Sequence, residues 1–129
     1  VNYINDSKAT NINSVIVAIN TYKQPIVLIL GGFNKGANFR LLLPHIKSSH
    51  VKDIVSYGDA GGQINTALGD AVRSVQVTDL SSAVKKAQLM AAPGDIVLLS
   101  PGCASYDEFS NFEERGNHFK SIIKNLAAS

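Results

Sequence analysis

The segment Asn5-Asp6-Ser7-Lys8-Ala9-Thr10-Asn11 packs a carboxylate, a cation and two hydroxyls into one short stretch. It lies between an apolar-alternating run and a helical pattern, so a helix N-terminus stands behind it. The free N–H groups and partial positive charge of such a terminus favour an anion, and Lys8 adds a full charge. Two readings stand side by side. One is an anion site. The other is ordinary capping, with Ser7 or Thr10 closing the helix and Lys8 in water. A second segment, Gly31-Gly32-Phe33-Asn34-Lys35-Gly36, follows the most strand-like run in the chain. Glycine lets a backbone approach a ligand closely, which would aim Lys35 at a carboxylate or phosphate. A tight strand-to-helix turn explains the same glycines. The loop fits neither G-x-x-x-x-G-K-[ST] nor G-x-G-x-x-G.

The third segment runs from Ser100-Pro101-Gly102-Cys103-Ala104-Ser105 through Tyr106-Asp107-Glu108-Phe109 to Asn111-Phe112. Ser105 can donate to a carboxylate, as can backbone N–H groups near Phe112 at the start of the last helix. A nucleophilic Cys103 would need a base beside it and a lowered pKa. His45, His50 and His118 are scattered, so Cys103 reads as a buried structural cysteine. No Ser-His-Asp order fits a nucleophile elbow, and the histidines give no zinc spacing; no metal site is expected. Asp107, Glu108, Glu113 and Glu114 read as N-terminal and surface charges of the last helix.

The elements that must hold these segments follow from periodicity. Strands are expected at residues 1–4, 26–30, 53–57, 74–78 and 96–99. Helices are expected at 11–22, 39–47, 62–68, 80–91 and 111–127. Pro44 leaves the start of the second helix open. Asp79 is placed to cap the fourth, with Leu80, Val84, Ala87 and Leu89 on or near its buried side. Phe112, Phe119, Ile122, Ile123 and Leu126 form the apolar face of the fifth. Continuous apolar runs such as 26–30 are what strands buried on both faces look like. Strict strand–helix alternation predicts an α/β fold, a three-layer αβα domain with a mostly parallel sheet of about five to six strands. Ligands of such sheets bind off the carboxyl ends of the strands. That rule selects loops 5–10, 31–38 and 100–112, with 58–62 a weaker fourth.

The chain has 129 residues, 45% of them apolar and 17% charged, which suits one soluble globular domain with its own core. A net charge of +2 is too small to argue for nucleic acid or an anionic membrane. No apolar run approaches a membrane span, and no signal-peptide pattern opens the chain. With one cysteine, no internal disulfide forms. The chain opens at Val1 and enters a strand pattern at once, whereas natural termini usually fray. The expectation is a single domain, residues 1–129, excised from a longer protein.

Together the three segments resemble the Mur ligase family, in the form typical of its D-glutamate-adding member. Asn5 to Asn11 looks like the family's N-D-S-K-A-T-N segment. Gly31-Gly32-x-x-Lys35 looks like its G-G-x-x-K loop. Ser100 to Gly116 is similar to its S-P-x-x-A-S-x-D-x-F-x-x-F-x-x-R-G signature. The resemblance implies a Rossmann-like C-terminal domain that binds the incoming amino acid in a three-domain, ATP- and Mg2+-dependent amide ligase of the bacterial cytoplasm. ATP phosphorylates UDP-N-acetylmuramoyl-L-alanine, and D-glutamate attacks the acyl phosphate during peptidoglycan precursor synthesis. Matched residue by residue, Thr10 and Lys35 hold the α-carboxylate of D-glutamate. Ser105, with the N–H groups of Tyr106 and Phe112, holds the side-chain carboxylate. Asp6 contacts the ATP ribose, and Lys8 lies near the transferred phosphate as the catalytic charge.

The sequence departs from the family where Phe33, Asn34 and Asn38 stand in place of usual acidic residues. There is no Walker A motif, so ATP and Mg2+ are expected mainly on a central domain, with the isolated domain inactive. Two alternatives stand beside this reading. One is the C-terminal domain of a Mur ligase for L-lysine, diaminopimelate or D-Ala-D-Ala, against which the Ser105 loop and the absence of a D-N-P-R motif argue. The other is a non-catalytic α/β module that binds an anion or nucleotide.

Overall fold

The computed structural model describes residues 1–34 and 36–128. Its strands are β1 (Asn2–Asn5), β2 (Ile26–Gly31), β3 (Val51–Tyr57), β4 (Arg73–Gln76) and β5 (Ile96–Gly102). They form one sheet in the order β1-β5-β2-β3-β4, and every pairing is parallel. The helices are α1 (Ile12–Thr21), α2 (Leu43–Ser48), α3 (Gly61–Leu68), α4 (Leu80–Met90) and α5 (Phe112–Ala128). The expected αβα architecture is therefore present, with five strands and none antiparallel.

Alternation along the strands builds two cores. Ile26, Leu28, Leu30, Ile54, Ile96 and Leu98 face Val15 and Ile19 of α1 and Ile64 and Leu68 of α3. Val27, Ile29, Val55, Val97 and Leu99 face Leu80, Val84 and Ala87 of α4 and Phe119 and Ile122 of α5. Every residue of β2 and of β5 is buried, because both strands are covered on both faces. Each fully buried aliphatic side chain here contributes roughly 1.5–3 kcal/mol relative to exposure.

The same layering positions the ligand end. Helices α1 and α2, which follow β1 and β2, pack on one face, whereas α5, which follows β5, packs on the other. Chains therefore leave β5 and its two neighbours in opposite directions, opening a crevice over the carboxyl end of β5.

Several boundaries differ from the sequence reading for physical reasons. β5 continues through Ser100 and Pro101 to Gly102. Pro101 lacks an N–H, and it sits where the register slips from Ile29↔Leu99 to Gly31↔Gly102. The expected helix 39–47 divides into a 3-10 turn, Phe39–Leu42, and α2, which carries Pro44 in its first turn, where proline is tolerated. Leu89 is 79% exposed: two residues from Ala87, it falls on the opposite side of the helix. Phe112 is 39% exposed rather than part of the buried face of α5, and the buried stripe holds Arg115 instead.

Tyr57 ends β3 with no exposed surface, and its hydroxyl has no hydrogen-bond partner among the described residues. Burial pushes its pKa well above the ordinary tyrosine value. Tyr57→Phe is therefore expected to stabilise the domain by about 1 kcal/mol, since it removes an unsatisfied buried group without changing ring packing. Urea unfolding monitored by circular dichroism measures this; a loss of stability would mean that the hydroxyl has a partner.

Candidate functional site

The loop after β1 is held by internal bonds that leave its chemistry outward. The α1 cap is Asn11, whose Oδ1 accepts from the Ser14 N–H at 2.9 Å. Neither Ser7 nor Thr10 serves that purpose. Ser7 is buried; its Oγ donates to the Phe112 carbonyl at 2.7 Å and accepts from Arg115 Nε at 2.9 Å. Asp6 accepts from Ser100 Oγ at 3.0 Å, which fixes one carboxylate oxygen. Lys8 and Thr10 are exposed.

The loop after β5 turns back over the sheet. Phe33 N–H donates to the Ala104 carbonyl at 2.8 Å, which joins this loop to the one after β2. Ser105 is only 2% exposed, and its carbonyl accepts from Glu108 and Phe109 N–H at 3.2 and 2.8 Å. Its hydroxyl, by contrast, has no protein hydrogen-bond partner among the described residues. The Tyr106 and Phe33 rings meet edge-on at 6.5 Å. Asp107 and Glu108 do not serve α5, as the sequence reading had it. Asp107 accepts from the Asp59 N–H at 3.2 Å, and Glu108 accepts from the Leu80 N–H at 3.1 Å, at the start of α4. Glu113 and Glu114 do lie in the first turn of α5, where acidic residues suit the dipole. The Asn111 side chain closes that turn, accepting from the Glu114 N–H at 2.8 Å.

In the loop after β2, Gly32 takes a φ of +122°. Gly32 donates to the Tyr57 carbonyl at 3.3 Å and accepts from the Ala60 N–H at 2.9 Å, so the 58–60 loop is part of the same frame. Asn34 Oδ1 accepts from the Gly36 and Ala37 N–H groups at 2.9 and 2.8 Å, and its amide donates to Gln63. Asn38 accepts from the Arg40 N–H at 3.2 Å, capping the 3-10 turn. These asparagines organise the loop through side-chain oxygens, without a negative charge. Lys35 lies outside the described residues.

Four of the sequence-selected residues come together. Thr10, Ser105, Tyr106 and Phe112 line one hollow of about 210 Å³, with Ala104 and Asn111. A second hollow of about 410 Å³ shares Thr10 and Ala104 and adds Phe33, Gly36, Ala37 and Leu41. Both lie in the crevice at β5. Hydroxyl donors and the first turn of a 17-residue helix facing one hollow suit a carboxylate. Asp6 and Lys8 stand apart from it. They line a larger hollow, about 550 Å³ beside α1, with Val17, Tyr22 and Leu98, and Lys8 also borders one of about 240 Å³ with Phe112 and Glu113. Size does not decide which hollow matters: the crevice at the strand switch collects the polar donors.

The sequence reading missed Arg115 as a buried residue. Its spacing carried the signal: residues 115, 119, 122 and 126 share one helical face. Cys103 is 2% exposed, and burial pushes its thiol up to about 12. At pH 8 the native thiolate fraction is then on the order of 10⁻⁴. Native chain is expected to resist iodoacetamide for hours and to react within minutes in denaturant, as read by mass spectrometry. Rapid native alkylation would contradict the structural role. Among the described residues no group of three or more His, Cys, Asp or Glu could hold a metal, and no helix is long and apolar enough to cross a membrane.

The sequence matches the family described as Mur ligase, glutamate ligase domain, over residues 1–103. It is 47% identical over 128 residues to the UDP-N-acetylmuramoylalanine--D-glutamate ligase of Chlamydia caviae, covering 99% of this chain and 30% of that protein. The proteins of the same name from Clostridioides difficile and Pseudomonas fluorescens are 45% and 43% identical, over 96% and 97% of the chain and 28% and 29% of their own length. The chain thus spans about 30% of the length of the curated relatives it matches.

Proposed function

The chain belongs to the Mur ligase family, and on that premise we propose that it is the amino-acid-binding, C-terminal domain of a three-domain ligase that joins D-glutamate to UDP-N-acetylmuramoyl-L-alanine. The observation that carries this reading is the single hollow lined by Thr10, Ser105, Tyr106 and Phe112, with the Lys35 loop beside it. D-glutamate has two carboxylates, and each needs charge-assisted donors in exchange for water. Thr10 and Lys35 take the α-carboxylate. Ser105, with the N–H groups of Tyr106 and Phe112, takes the other. Held at both ends, the amine is fixed for attack on the acyl phosphate of the acceptor, with release of phosphate and formation of the amide. Such positioning is a major source of rate.

The relatives are named as D-glutamate ligases, and the matching family is that of the glutamate ligase domain. ATP supplies the phosphoryl group that activates the acceptor. Asp6 keeps one carboxylate oxygen for a ribose hydroxyl while Ser100 holds the other, and exposed Lys8 offers charge near the transferred phosphate. Among the described residues no group of three or more His, Cys, Asp or Glu stands together to hold Mg2+, and the sequence has no Walker A motif. On this reading the nucleotide phosphates and metal are held mainly by the rest of the ligase, and the chain alone is expected to be inactive. The reaction belongs in the bacterial cytoplasm.

An amide NMR titration of the chain with D-glutamate tests the reading, with L-glutamate and diaminopimelate as controls. Shifts at Thr10, Lys35, Ser105 and Phe112 with D-glutamate alone are expected. Equal shifts with all three ligands would make the crevice a generic anion site. If no ligand shifts them, D-glutamate-dependent amide formation by the full-length ligase decides.

A further inference from the structure

Arg115 has no exposed surface, and among the described residues it pairs with no carboxylate. Burying a guanidinium is costly unless acceptors meet it. Here each nitrogen has one: Nε donates to Ser7 Oγ at 2.9 Å, Nη2 to the Ser7 carbonyl at 2.7 Å, and Nη1 to the Cys103 carbonyl at 3.0 Å. All three acceptors are neutral. An apolar side chain would join α5 to the sheet without this desolvation, so what the arginine adds is fixed geometry from a planar fork.

The segments it joins are those that carry the candidate donors. Ser7 precedes Thr10 by three residues, Cys103 precedes Ser105 by two, and Arg115 follows Phe112 by three. Ser7 Oγ closes the circuit on the Phe112 carbonyl at 2.7 Å. The loop after β2 packs on the same group: a Cβ at Gly32 would stand 3.0 Å from Nη1.

We propose that Arg115 is a positioning residue that sets the separation between Thr10 and the donors of Ser105 and Phe112, and so the chain length of the amino dicarboxylate accepted. This rests on the reading of the crevice as a D-glutamate site. A rigid separation distinguishes D-glutamate from D-aspartate, which is one methylene shorter. A loosened one does not.

The test is Arg115→Lys in the full-length ligase, which keeps the charge and loses the fork. KM for D-glutamate is expected to rise about tenfold with kcat within about twofold, and the kcat/KM preference for D-glutamate over D-aspartate to fall about tenfold. KM for ATP stays unchanged. An unchanged preference overturns the proposal even if KM rises, because uniform weakening is all that general support of the fold would give. If the lysine variant does not fold, Ser7→Ala carries the test. It removes only the oxygen between Arg115 Nε and the Phe112 carbonyl, and the preference is expected to fall about threefold; no fall overturns the proposal. The wild-type ligase separates the two claims: without D-glutamate-dependent amide formation the site reading fails, whereas a working wild type with undiminished preference in the variants removes Arg115's role alone.

Discussion

Ser105→Ala in the full-length ligase is expected to raise KM for D-glutamate about 10–100-fold while kcat changes by less than about threefold. The size follows from one charge-assisted hydrogen bond, worth about 1.5–3 kcal/mol where water is excluded. Ser105 is 2% exposed, and its hydroxyl serves no protein acceptor among the described residues, so truncation removes nothing that holds the fold. Stability is expected to stay within about 0.5 kcal/mol of wild type. Steady-state kinetics with varied D-glutamate, paired with thermal unfolding, separates the effects. An unaltered KM in an active, folded variant would remove Ser105 from the site. Ser7→Ala behaves differently, because Ser7 Oγ is bonded on both sides and its loss lowers stability as well.

Gly32→Ala is expected to cost about 3 kcal/mol or more of stability, a fall in Tm of about 10 °C. Two penalties add. The φ of +122° lies in a region that only glycine enters readily. A Cβ there would also stand 2.4 Å from the Ala104 carbonyl oxygen and 3.2 Å from Cys103 Cβ, both part of the packed frame. Gly36→Ala is the informative companion. Its φ is +90°, but among the described residues nothing lies within 4 Å of a Cβ, so only the conformational penalty of about 1 kcal/mol applies. Chemical denaturation of both variants measures the difference. Equal losses would mean that the loops after β2 and β5 are not in contact.

The strands were legible because burial on both faces removes polar interruptions, as in residues 26–30. The crevice was legible from chain order alone, since alternation fixes which strand ends carry ligands. Side-chain assignments between neighbours in sequence were harder. Ser7, Thr10 and Asn11 are all good caps by type, and only the backbone path shows that Asn11 is the one used. Asp107 and Glu108 stand just before α5 yet serve the 58–60 loop and α4, partners 48 and 28 residues away. Pairings over such distances leave no local pattern. Arg115 was passed over for a different reason, although its helical spacing put it on the buried face. An arginine on a helix reads as surface, and its burial depends on two carbonyls and a hydroxyl that only the folded loops bring to it.

The strand order has a consequence for synthesis on the ribosome. β1 is made first, but its sheet partner is β5, with Asn2 beside Ile96. At roughly 5–20 residues per second, β1 waits on the order of 5–20 s for that partner to be translated. β5 must then enter between β1 and β2 as a late central strand, the kind of distant pairing that slows folding. Until it does, β2 and β1 each keep an open edge, and the nascent domain exposes backbone that neighbouring chains can pair with. Chaperone capture should therefore peak on chains that end before residue 102 and fall once β5 and α5 have emerged.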